Sequence, residues 1–143
     1  ANITDEQIQQ GLDNTKLPAR FEMLKPGVLI DGAHNAQGLK KLFETLNVPP
    51  YQKQTVTLII GSLMDKNVTD EFKHILSDQR FNIVLVPFAG PNGRHSLDIL
   101  KTAANYRVST AENWREAYQE SNADLTVFTG SLYFVSEIRG ELL

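Results

Sequence analysis

Apolar residues recur along this chain in two alternating periods. Val28-Leu29-Ile30 is a short continuous apolar run that leads straight into Asp31-Gly32-Ala33-His34-Asn35. Behind that turn Leu39, Leu42, Phe43 and Leu46 fall at i, i+3, i+4 and i+7, the stripe of an amphipathic helix. The same unit then repeats. A β-branched strand over 55–60 ends at Gly61-Ser62, and Met64-Asp65-Lys66-Asn67 forms a loop before the stripe Val68, Phe72, Ile75 and Leu76. A strand over 81–86 ends at Pro87, a Gly- and Pro-rich loop covers 88–95, and Leu97, Leu100 and Ala104 mark another helix. A short strand is expected over 106–108. Trp114, Ala117 and Tyr118 mark a helix that Ser109-Thr110-Ala111-Glu112 would open as a capping box. The last unit is a strand over 125–129, the turn Gly130-Ser131 and a helix over 132–139. Ahead of all this, 20–23 reads as a short strand closed by Lys25-Pro26-Gly27. Thr4-Asp5-Glu6-Gln7 caps a short helix through Leu12, and Asp13 to Lys16 break it before the extended Leu17-Pro18.

Strict alternation of strands and helices predicts an α/β fold: a Rossmann-like three-layer domain with a mostly parallel sheet of about six strands and helices on both faces. The two-sided apolar runs suit strands covered by helices above and below. Residues 1–17 read as an interdomain linker and the tail of a preceding domain, and 18–143 as the domain proper. The chain opens on Ala1 inside a helical pattern, which suggests a piece of a longer protein.

Composition narrows the function classes. With 143 residues, 41% hydrophobic and 22% charged, this is one ordinary globular domain. A formal net charge of −3 gives no pull toward nucleic acid or anionic membranes. The absence of cysteine excludes disulfides and thiolate metal sites and favours the cytoplasm. No apolar run approaches the roughly 20 residues of a spanning helix.

Loops at the carboxyl ends of the strands are where open α/β sheets bind ligands, and candidate chemistry collects there. Neither G-x-x-x-x-G-K-S/T nor G-x-G-x-x-G is present, so any bound ATP would need part of its site from elsewhere. Asp31 reads either as a contact to a ribose hydroxyl, a metal-bound water or a phosphate's cation, or as a turn-former. His34 reads as a donor to a bound carboxylate poised near neutrality, or as a half-buried residue at a helix start. Asn35 is the natural N-cap. Ser131 is either a plain N-cap or part of a helix-start anion site, where exposed amides contribute roughly 0.3–1 kcal/mol. A substrate carboxylate could sit between that turn and His34. Thr129 to Tyr133 lack the spacing of a nucleophile elbow. Lys66 could reach a phosphate or carboxylate, and Arg94-His95 an anion, or both could be solvated. His34, His74 and His95 show no metal-ligand spacing, so no zinc is expected.

Four blocks in this order carry a resemblance: Arg20-Phe21-Glu22, Ile30 to Asn35, Gly61 to Lys66, and Thr129 to Val135. The chain resembles the C-terminal domain of folylpolyglutamate synthase/dihydrofolate synthase, of the Mur ligase superfamily, from about residue 18 to the end. The resemblance implies an ATP-dependent amide ligase: a folate or dihydropteroate carboxylate becomes an acyl phosphate, and the amine of L-glutamate displaces the phosphate. It implies ATP and Mg2+ held mainly by the enzyme's own N-terminal ATPase domain, with no metal ligand here, and a monomeric cytoplasmic enzyme. The fragment alone would be inactive. By position, Arg20 and Asp31 would contact the nucleotide, His34 and Ser131 the incoming glutamate, with His34 catalytic, and Lys66 a phosphate or carboxylate. Departures are Ala19 where the family has glycine before its arginine, Asn67 where it has aspartate, and Gly93-Arg94-His95 where it has Pro-Arg-Ala; the roles of Asn67 and Arg94 stay open. Two other readings remain: a Mur-type ligase acting on a peptidoglycan precursor, and a stand-alone flavodoxin-like binding module.

Overall fold

The computed structural model describes residues 21–61, 68–88 and 108–143. The expected helices over 4–12 and 97–104, and the candidates Arg20, Lys66, Asn67, Arg94 and His95, lie outside them. The elements are β1 (Glu22–Lys25), β2 (Val28–Ile30), α1 (Ala36–Leu46), β3 (Val56–Gly61), α2 (Val68–Leu76), β4 (Phe81–Val86), β5 (Ser109–Thr110), α3 (Trp114–Glu120), β6 (Leu125–Thr129) and α4 (Leu132–Leu142).

They build one six-stranded sheet in the order β1-β2-β6-β3-β4-β5. Five strands run parallel, and β1 pairs antiparallel with β2. The reason is local: Pro26-Gly27 is far too short for a crossover, so β1 can return only as a hairpin. Gly27 takes φ +81° to make that turn.

Period-two alternation sorts the strand side chains onto two faces. Leu29, Leu58, Ile60, Ile83, Leu85 and Val127 pack under Leu39, Leu42 and Leu46 of α1 and Phe72 and Ile75 of α2. Val28, Ile30, Ile59, Val84, Val86 and Phe128 pack under Trp114 and Ala117 of α3 and Phe134, Val135 and Ile138 of α4. The parallel strands β2, β6, β3 and β4 are thus covered on both sides, as their continuous apolar runs predicted, while β5 at the edge is exposed. Each fully buried large side chain contributes about 1.5–3 kcal/mol.

Some boundaries differ from the sequence reading, beginning with β1, which runs from Glu22 and takes in Lys25, the residue expected to close it. The short strand expected over 106–108 lies mostly outside the described residues; β5 is Ser109–Thr110, whose residues meet Val84 and Leu85 in register. That uses up the Ser109 capping box. Asn113 caps α3 instead, its Oδ1 accepting from Glu116 N at 2.9 Å. The last helix runs on to Leu142 through Gly140, whose surroundings are open.

Arg80 ties the opposite end of the sheet together. Its Nη1 donates to the carbonyls of Tyr51 and Gln54, both at 3.0 Å, and its Nη2 to Asn47 Oδ1 at 2.7 Å. Nε pairs with Asp78 at 3.2 Å. Arg80→Ala is expected to cost about 2 kcal/mol in urea unfolding, less than the sum of its bonds because water re-solvates the freed carbonyls. A change under about 0.5 kcal/mol would place it with ordinary surface residues.

Candidate functional site

The site forms where the sheet changes winding. β2 leads to α1 on one face, while its neighbour β6 leads to α4 on the other. Adjacent strands whose following helices part to opposite faces leave a crevice at their carboxyl ends, the switch point where open α/β sheets bind ligands. Two helix N-termini flank this crevice, each carrying amide donors and partial positive charge.

Both turns are built from their own side chains. After β2, Asp31 Oδ1 accepts from Ala33 N at 2.8 Å, and Asp31 N donates to Phe128 O at 3.0 Å. Asn35 caps α1, its Oδ1 accepting from Gly38 N at 2.8 Å. After β6, Gly130 turns the chain with φ +125°, and Ser131 caps α4 by accepting from Phe134 N at 3.0 Å. The capping readings of Asn35 and Ser131 therefore describe the structure. Ser131 is nearly buried, and its capping bond uses the oxygen as acceptor, so the hydroxyl hydrogen stays suited to donate.

The two turns are stitched to each other. Ala33 O accepts from Gly130 N at 2.9 Å and from Thr129 Oγ1 at 3.2 Å. β3 is held just as closely: a Cβ on Gly130 would fall onto the Gly61 carbonyl oxygen and within 2.8 Å of Gly61 N. Gly61 in turn lies against the Phe134 ring, 2.7 Å from where its own Cβ would be. Gly38 packs on Ala33 in the first turn of α1, with 3.1 Å from a built Cβ to the Ala33 methyl. This clasp joins the two turns that carry Asp31, His34 and Ser131.

His34 is exposed, not half-buried as the structural reading of it held. Its Nδ1 lies 3.4 Å from Gly32 O. A carbonyl can only accept, so Nδ1 would be the donor in this weak contact, and Nε2 has no protein partner among the described residues. Asp31 is partly buried, and its carboxylate both shapes the turn and keeps a share of solvent access. Among the described residues no three His, Asp or Glu side chains converge as a metal ion needs, and no helix is long and apolar enough to cross a membrane.

Thr129, Gly61 and Gly38 carry the geometry but were not singled out in the sequence. Each had a signal: a hydroxyl ending an apolar strand, a glycine ending another, and a glycine inside a helical stripe, where it costs about 1 kcal/mol against alanine.

A doubly wound α/β domain with two helix N-termini at its switch point belongs to the open-sheet class that binds ligands at the carboxyl ends of its strands. Within that class, residues 19–132 match the family model described as Mur ligase, glutamate ligase domain, and the chain belongs to that family. It is 30% identical to the dihydrofolate synthase/folylpolyglutamate synthase of Bacillus subtilis over 99% of its own length and 34% of the relative. It is 33% identical to the folylpolyglutamate synthase of Lacticaseibacillus casei, over 99% of this chain and 33% of that one. The crystal structure of the Thermotoga maritima folylpolyglutamate synthase superposes with a TM-score of 0.70 at 29% identity, covering 99% of this chain and 34% of the other. The chain thus spans about a third of the length of the curated relatives it matches.

Proposed function

We propose that this chain is the C-terminal domain, residues 18–143, of an ATP-dependent amide ligase that adds L-glutamate to a folate or dihydropteroate carboxylate. One observation supports the reading above others: the Asp31–Asn35 turn and the Gly130–Ser131 turn are joined through Ala33 O at the carboxyl ends of adjacent strands. The relatives' names give the substrate class, and the glutamate-ligase family gives the reaction.

In this reading an N-terminal ATPase domain, joined to this one by the linker 1–17, holds ATP and Mg2+ and phosphorylates the acceptor's carboxylate. The domain described here forms the facing wall. Asp31 accepts from a nucleotide hydroxyl. Ser131 and the start of α4 receive a glutamate carboxylate, which suits the amide donors and partial positive charge of a helix N-terminus. His34 Nε2 accepts from the glutamate ammonium, which must shed a proton before its nitrogen can attack the acyl carbon. The new C–N bond then forms as the C–O bond to phosphate breaks. Arg20 and Lys66 take nucleotide and phosphate or carboxylate contacts in the same scheme. Closure of the two domains excludes water from an acyl phosphate that would otherwise hydrolyse.

The gene sequence ahead of Ala1 tests the proposal at once. A P-loop there is the expected result, with ligase activity in the whole chain and none in residues 1–143 alone. A full-length chain without a P-loop overturns the proposal.

A further inference from the structure

Thr129 ends β6 with a hydroxyl in a fully buried position. That hydroxyl donates to Ala33 O at 3.2 Å, and the next residue's amide, Gly130 N, donates to the same oxygen at 2.9 Å. Consecutive groups of one strand end therefore occupy a single carbonyl of the facing turn. The peptide that carries Ala33 O also carries His34 N, and its atoms lie in one plane. Ala33 N, on the other side, is pinned by Asp31 Oδ1 at 2.8 Å. One amide donor can fix the distance between the turns, but a second donor is needed to fix the rotation of that plane, and with it the direction in which His34 leaves the backbone.

We infer that Thr129 is a positioning residue for the ligase site: its hydroxyl sets the orientation of His34 relative to Ser131, and so the gap that receives glutamate. This rests on the glutamate-ligase reading above and adds to it a residue that contacts no substrate. The hydroxyl is an unneeded cost if its only task is filling space. A valine of nearly the same shape would pack at the end of an apolar strand without a polar group to satisfy.

The test uses the full-length enzyme with Thr129→Val and Thr129→Ser. Losing one hydrogen bond that orients a binding group is expected to raise KM for glutamate about 5- to 10-fold in the valine variant, with KM for ATP within about 2-fold of the wild type. Serine keeps the hydroxyl and should return glutamate KM to within about 2-fold of the wild type. Hydrogen exchange over residues 31–38, followed well below the melting temperature of each protein, should quicken in the valine variant and recover in the serine variant. Faster exchange with unchanged glutamate KM overturns the inference, because the hydroxyl would then serve stability alone. Unchanged exchange overturns it as well. A wild-type enzyme that ignores glutamate overturns the ligase reading instead, and the exchange comparison still decides whether the hydroxyl holds the turn.

Discussion

Gly130→Ala is expected to destabilise the domain by about 4 kcal/mol or more, a large part of the 5–15 kcal/mol that holds a typical domain folded. Two independent costs add. With φ at +125°, Gly130 occupies backbone space that a side chain enters only with strain of about 1–3 kcal/mol. The added methyl would also land on the Gly61 carbonyl oxygen, and backbone inside a parallel sheet cannot swing aside as a side chain can. Moving it would disturb the β3–β6 ladder, where Ile60 faces Thr129, and the Phe134 ring beneath. Urea unfolding of the variant should show a collapse of the midpoint or no folded baseline. A loss under about 1 kcal/mol would mean that the junction of β3 and β6 can open, and that the clasp is not the rigid frame of the site.

His34→Ala should show the opposite balance: little change in stability and a large change in catalysis. The ring is exposed, and its only bond among the described residues is the long contact to Gly32 O, so unfolding should shift by no more than about 0.5 kcal/mol. A hydrogen bond to a charged group contributes about 1.5–3 kcal/mol, equal to a loss of roughly 10- to 150-fold in kcat/KM for glutamate. ATP binding should be spared, because the P-loop would lie in the other domain. Glutamate titrations at saturating ATP separate the two effects. Unchanged glutamate kinetics would remove His34 from the site.

Much of this was legible before any coordinates. The strands β2, β3, β4 and β6 of the parallel sheet announced themselves because they are apolar on both faces, a pattern with few other uses. Asp31, His34 and Ser131 could be placed at strand ends because the stripes of α1 and α4 begin just beyond them. That their two turns are neighbours was not readable. β2 and β6 are adjacent in space but separated by most of the chain, and β6 enters the sheet between β2 and β3. The parallel pairing of β2 with β6, ending at Ile30 and Phe128, reveals it. The Ser109 cap was misplaced because Ser109-x-x-Glu112 and Asn113-x-x-Glu116 offer the same local chemistry, and the pairing of Ser109 with Val84 decided between them. Arg80 gave no sequence signal at all, since its partners are mostly backbone carbonyls from a distant loop.

The central claim, that this fold is the glutamate-delivering wall of a folate ligase, is tested most directly by the products of the full-length enzyme. Purified chain supplied with ATP, Mg2+, L-glutamate and either dihydropteroate or a reduced folate should form the glutamyl amide and release phosphate in step with it. Omitting glutamate should stop amide formation, and substituting His34 by alanine should slow it by roughly 10- to 150-fold at low glutamate. Amide formation that proceeds with a peptidoglycan precursor and not with either folate-type acceptor, or ATP turnover that yields no amide with any of them, would contradict it.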